Sequence, residues 1–331
     1  MDLSMEIYLW FSQLSSLQAG LMSLFFGLLI GSFANVVIYR LPIMIDLEYK
    51  KAIEDGVEEV VSGGLRDIVK ETIGKKIPKE KYNLSVPRSA CPKCDTKIAW
   101  YDNIPVLSWI ILLGKCRHCK TTISPYYPIV ELLIGSMSGL ITYMLWPSPI
   151  AILLPVVITM SLILLMIDIR HMLLPDALTL SLMWLGLLSS AIGIIPIEPE
   201  EAILSIVGAY GFFWLIDKGM YLWKGVNGIG QGDVKFVAGL APWVGIMDLP
   251  YVILAFCIIS IVLFFVADIV AKMDIVDKDT QAYQNHKATI ENIRKDFGYN
   301  EKEEYKYKRI MPLGPSISIA FIFYLILEYL F

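Results

Sequence analysis

Charge is scarce in this sequence. Only 18% of its 331 residues are Asp, Glu, Lys or Arg, against about 25% in a typical soluble domain. Hydrophobic residues make up 56%, and the mean hydropathy is +0.60. This balance excludes an ordinary soluble globular fold and makes the chain a membrane protein. Residues 1–17 contain no Lys or Arg, and the apolar stretch after them runs on at the length of a membrane span. The N-terminus therefore lacks the basic start of a cleavable signal. No Ser or Cys is partnered by a His in the manner of an activated nucleophile. Cysteine is also sparse, with five in the whole chain.

Apolar runs near bilayer-crossing length fall at 18–39, 126–145, 149–167, 177–197, 202–217, 234–248, 250–269 and 311–330. The fold expected is an all-α polytopic membrane protein of about eight transmembrane helices. Of the 28 Lys and Arg, fifteen lie in 40–120, nine in 272–309 and three in 217–235, and one is Arg170. Eight spans put all of these on one face, which the positive-inside rule makes cytoplasmic. The opposite connections, such as WPSP (146–149) and GIIPIEPEE (193–201), contain none. Both termini are then expected to face outward. The expected organisation is a first span in 1–39, a cytoplasmic domain in 40–124, a transmembrane catalytic core in 125–270, a charged cytoplasmic loop in 271–310 and a last span in 311–331. The large charged segments are mixed in sign and read as solvated faces rather than nucleic-acid sites.

Four cysteines form two pairs, CPKC (91–94) and CRHC (116–119), with 21 residues between them. Each C-x-x-C turn can bring two thiolates to one side of a metal, and two turns complete a tetrahedral sulfur shell. Cys91, Cys94, Cys116 and Cys119 read as a zinc ribbon inserted on the cytoplasmic side, with paired redox dithiols as the rival. Four thiolates leave no open position for substrate, so the metal would be structural. His118 reads as bystander polarity and Cys257 as a small core residue.

IDIRHMLLPDALTL (167–180) sets Asp168 at the end of an apolar run. An ionisable group there either lines an aqueous functional site or sits in the headgroup region beside Arg170. GIGQGDVKF (228–236) presents Asp233 after three glycines, which permit close backbone approach. Two carboxylates at matching depth cannot both ionise cheaply, so the pair holds a proton between them. One can then act as base on water while the other polarises a carbonyl, which is peptide hydrolysis without a covalent intermediate. Gly230, Gly232 and Lys235 would support the loop. Asp176, after Pro175, reads as a helix cap and His171 as an interfacial polar residue. Asp217 and Lys218 read as side chains reaching for the interface.

These residues resemble the type IV prepilin peptidase family. The resemblance is carried in order by GSFANVVIYRLP (31–42), NLSVPRSACPKC (83–94), DNIPVLSW (102–109), YPIVELL (127–133), IDIRHMLLPDALTL (167–180), GQGDVK (230–235) and PLGPSISIA (312–320). It implies an intramembrane aspartyl endopeptidase with catalytic Asp168 and Asp233. The substrates implied are type IV prepilins and type II secretion pseudopilins, whose short basic leaders are removed at the cytoplasmic face of a bacterial inner membrane. Many members also methylate the new N-terminus with S-adenosylmethionine. No Gly-rich nucleotide loop of soluble type appears in 40–120, and no residues are assigned to the methyl donor. Glu131 is a candidate polar residue and could equally be an interfacial carboxylate.

Two features depart from the family pattern. Arg170 stands where members often carry an acid, and a cation there is expected to keep Asp168 ionised. The charged segment of about 271–310 is longer than expected, and reads as a solvated, partly helical excursion rather than a docking element. Two other readings remain. One is a Gly-x-Gly-Asp protease of another substrate class, against which the cysteine cluster and GSFANVVIYRLP argue. The other is a transporter or pilus assembly scaffold with membrane carboxylates, against which the lack of matching broken helices argues.

Overall fold

The computed structural model describes residues 13–60, 82–225, 228–272 and 312–330. The charged segment of 271–310 lies almost entirely outside them. The chain divides into two compact units, Met1–Pro155 and Val156–Phe331.

The first unit is built on two helices, α1 (Ser16–Val60) and α3 (Tyr126–Leu145). Lipid tails are as apolar as Leu, so membrane helices associate by close backbone approach rather than by hydrophobic exclusion. Small residues supply that approach here. A Cβ on Gly20 would lie 3.0 Å from the Gly139 carbonyl, one on Gly27 would lie 3.0 Å from Gly135 Cα, and one on Gly31 would lie 2.8 Å from Glu131 Cα. Two hydroxyl bonds join the same seam, Ser23 to the Ser138 carbonyl at 3.1 Å and Thr142 to Ser23 at 2.8 Å. Between these helices lie a 3₁₀ turn (Trp100–Asn103) and the short α2 (Leu107–Ile111). The only strand-like pairings among the described residues are two isolated antiparallel bridges, Ala90 with Lys97 and Lys115 with Thr122.

Helix α4 (Ile150–His171) carries the chain onward, followed by α5 (Asp176–Ala191), α6 (Pro199–Lys224), α7 (Gln231–Leu240), a 3₁₀ turn (Ala241–Trp243), α8 (Leu249–Lys272) and α9 (Gly314–Leu330). Helix α6 has the expected end signals. Pro199 opens it with Glu200 and Glu201 in the first turn, and Gly225 closes it at φ +71°, a left-handed cap that costs glycine little.

The core of the second unit is the segment read as a sixth span. Residues 234–248 are instead a ten-residue helix and a 3₁₀ turn, and ten residues rise only about 15 Å. Phe236, Ala241 and Trp243 are fully buried. Trp243 donates its indole N–H to the Leu182 carbonyl at 2.9 Å, and Gly186 and Gly239 admit the contact, since a Cβ on either would come within 2.8 Å of the opposing element. Pro242 and Gly245, the latter at φ +79°, end the helix. The run is apolar because it is interior to protein.

The described residues contain five helices long and apolar enough to cross a membrane, with α5 and α9 apolar but shorter. An all-α integral membrane protein is therefore observed, whereas helix length does not reach the count of eight. Cys257 is exposed rather than in the core, on a face of α8 shared with outward-facing Leu254, Ile258 and Ile261.

Gly31→Val is expected to force α1 from α3 and destabilise the protein by roughly 1–3 kcal/mol. Leu140→Ala, on an exposed face of α3, should be nearly neutral. Thermal unfolding in detergent checks both, and equal melting points for the two variants would refute the close-packed seam.

Candidate active site and metal centre

In the second unit Asp168 occupies the last turn of α4 and is only 4% exposed. Its Oδ2 accepts the main-chain N–H of Gly314 at 2.9 Å. Asp233 is the third residue of α7, whose N-cap is Gly230. Its carboxylate turns toward Gly230 and lies within electrostatic reach of Asp168. Asp233 thus occupies the acidic position of a capping box, and the helix start fixes its direction. The glycines permit this closeness: a Cβ on Gly230 would lie 2.7 Å from Asp233 Oδ2, and one on Gly232 would lie 3.2 Å from Leu174 Cβ.

The two carboxylate-bearing blocks are tied together. Lys235 donates to Asp176 at 2.7 Å across the start of α5. Pro175 is the N-cap of α5, with no side-chain cap bond, so Asp176 is not the cap expected and serves instead as partner to Lys235. Asp217 also departs from expectation. It is buried within α6 and accepts the amides of Gly228 at 2.8 Å and Ile229 at 3.1 Å, which anchors the loop that precedes Asp233. Its sign in the sequence was an acid eleven residues before a glycine-rich loop, a separation that only folding makes meaningful. Arg170, the residue expected to keep Asp168 ionised, lies two positions further along the same helix. Helix positions two apart do not face each other, and Arg170 is exposed where Asp168 is buried. His171 is exposed at the C-terminal end of α4.

In the first unit the four cysteines meet. One sulfur from each lies within 4.8 Å of the others, and Cys91 and Cys119 are 3.7 Å apart. A tetrahedron of about 2.3 Å metal–sulfur bonds has edges of about 3.8 Å, so the donor set fits a structural zinc. The two knuckles repeat one geometry. The Asp95 amide bonds to the Cys91 carbonyl at 2.9 Å and the Lys120 amide to that of Cys116 at 3.1 Å. The residue after each second cysteine has positive φ, 52° at Asp95 and 58° at Lys120. The Thr96 hydroxyl pulls the Cys94 thiol down to about 6. The Thr121 amide lowers the Cys119 thiol, but desolvation and the three neighbouring thiols together outweigh it and push it up to about 11. A cation removes that mutual repulsion. His118 is not among the clustered ligands. Its neighbour Arg117 grips Asp102 through Nε at 2.8 and 3.1 Å and lies over the Tyr101 ring.

Glu131 is buried, and its Oε2 accepts the Val106 amide at 2.7 Å. Val106 stands at φ 61°, ψ −49°, and the Leu107 amide bonds back to the Pro105 carbonyl at 2.5 Å. This is a strained γ-turn for a β-branched residue, held by a helix carboxylate. Glu131 is thus not an interfacial side chain. Arg40, also buried, donates to the carbonyls of Asn83 at 2.9 Å and Leu84 at 3.3 Å.

Residues 25–145 match the family described as Bacterial Peptidase A24 N-terminal domain, and residues 155–265 match the Type IV leader peptidase family. The two matches meet close to the boundary between the compact units. A protein of Dichelobacter nodosus named prepilin leader peptidase/N-methyltransferase is 37% identical over 238 residues, 72% of this chain and 79% of its own. Proteins of the same name from Aeromonas salmonicida (strain A449) and Stutzerimonas stutzeri are 39% and 38% identical, covering 69% and 73% of this chain and 74% and 79% of their own. No solved structure matches.

Asp217→Ala leaves two loop amides without their acceptor, at a cost of about 1–3 kcal/mol, whereas Asp217→Asn keeps a carbonyl oxygen for them. Hydrogen exchange at Gly228 and Ile229 should accelerate in the alanine variant alone. Equal exchange in both variants would remove the anchor.

Proposed function

The chain belongs to the type IV leader peptidase family, and from that premise we propose that it is an intramembrane aspartyl endopeptidase that removes the short basic leader of prepilins and pseudopilins. The observation that carries this reading is the meeting of Asp168 and Asp233, from helices α4 and α7, within electrostatic reach of one another. Two carboxylates so close share a proton. The ionised one takes a proton from water as the oxygen attacks the scissile carbonyl carbon, and the protonated one donates to the carbonyl oxygen. The resulting gem-diol collapses with cleavage of the C–N bond: one hydroxyl returns its proton to the second carboxylate as the carbonyl re-forms, and the first carboxyl delivers its proton to the departing amine. Lys235, Asp176, Asp217, Gly230 and Gly232 hold the two acids in register. A substrate with its basic leader in the cytoplasm and its apolar segment in an inner membrane brings the scissile bond to the depth of these acids.

The same reading includes N-methylation of the new N-terminus. The named relatives support it, as does the chemistry of the first unit. The side-chain carbonyl oxygen of Asn35 is buried with no hydrogen-bond partner among the described residues, and Glu131 is a buried carboxylate. Both are acceptors suited to a cationic donor molecule, and we assign them to hold S-adenosylmethionine. When bound, that molecule supplies an electrophilic methyl group. Structural zinc would sit among Cys91, Cys94, Cys116 and Cys119, fixing the two knuckles against one another without touching substrate.

Incubating membranes with a prepilin and following leader loss and added methyl mass tests the main reading. Asp168→Asn and Asp233→Asn are each expected to abolish cleavage, by at least about 1,000-fold. A variant that cleaves like wild type would sink the two-aspartate mechanism. Metal analysis of the purified protein is expected to give one zinc per chain and to fall with Cys116→Ser. Cleavage should survive that variant better than it survives either aspartate change. A metal-free wild type that melts normally would refute the zinc assignment.

A further inference from the structure

The PLGPSISIA block (312–320) has no part in the mechanism above, yet it abuts the buried acid. We propose that Gly314 is a positioning residue of the aspartyl site, its amide fixing one oxygen of Asp168 so that the other is presented to the reacting water. This inference rests on the two-aspartate reading. The amide and Asp168 Oδ2 are 2.9 Å apart in a buried contact. The first amides of a helix have no acceptor within it, and Gly314 opens α9. The next residue, Pro315, has no N–H, so Gly314 is one of the few donors this end of the helix can offer.

The amide is held in place independently of the acid. The Ile317 amide bonds to the Leu313 carbonyl at 3.1 Å and the Ser316 hydroxyl to the same carbonyl at 2.7 Å. The Ser318 hydroxyl reaches the Ser161 carbonyl at 3.2 Å. The residue must also be glycine. A Cβ there would lie 2.6 Å from Asp168 Oδ2, 2.9 Å from its Cβ and 3.0 Å from its Cγ. The whole side chain would have to move, not its tip alone. A displacement of about 1 Å at a reacting group costs on the order of 100-fold in rate.

Prepilin kinetics of the full-length protein in detergent test this. Gly314→Ala is expected to lower kcat about 100-fold with KM within about twofold. Ser318→Ala loses a docking bond of the same helix and should keep kcat. A Gly314→Ala enzyme with normal kcat, or a Ser318→Ala enzyme equally impaired, overturns the proposal. Hydrogen exchange over residues 313–316 does not depend on whether the glycine variant folds. It should quicken in Asp168→Ala and not in Asp233→Ala, and equal exchange in both also overturns it. Full activity of Asp168→Asn would instead remove the two-aspartate reading itself, so the two failures are distinguishable.

Discussion

A carboxylate buried in a membrane protein must find donors, and a loop amide buried there must find an acceptor. Much of this structure follows from the two needs being met by each other. Asp168 takes the amide of Gly314, Asp217 those of Gly228 and Ile229, Glu131 that of Val106, and Glu201 that of Ile246. In each case an acid on a helix fixes a residue at a turn or helix start. The irregular backbone between helices, which could not otherwise persist away from water, is thereby given a defined path.

This pairing also explains why the glycines lie where they do. At some of these contacts the carboxylate comes so near the backbone that no side chain fits. A Cβ added to Gly230 or Gly314 would lie within 2.7 Å of an aspartate oxygen, and one on Gly245 would lie 2.7 Å from a Glu201 oxygen. The glycines of the first unit serve a different need, the approach of α1 to α3, where the opposing atoms are mostly backbone or Cβ. One residue type thus builds a helix seam in one unit and a set of carboxylate cradles in the other.

The two units divide the chemistry. The acids read as cleaving the leader lie in the second unit, and the cysteine ribbon, Asn35 and Glu131 lie in the first. The family matches divide the chain near the same point. In the first unit Arg117, Asp102 and Glu131 connect the ribbon and its neighbouring loop to the helix pair, so a metal that orders the knuckles also bears on a loop whose γ-turn is strained.

The sequence by itself determined the membrane class and the cysteine tetrad and singled out the two aspartates as candidates, because each is written in local pattern: apolar runs, C-x-x-C spacing, and acids placed beside glycines at the edge of such runs. Those signals need no knowledge of what folds against what. The status of 234–248 was not legible, since a run buried in protein and a run facing lipid have the same composition, and only the packing of Trp243 on Leu182 tells them apart. The partners of Asp176, Asp217, Glu131 and Gly314 were equally hidden. Each is joined to a residue 11 to 146 positions away, and a backbone amide leaves no trace in the identity of the residue that carries it. Tertiary structure decided those pairings because the desolvation that makes them necessary exists only once the helices have assembled.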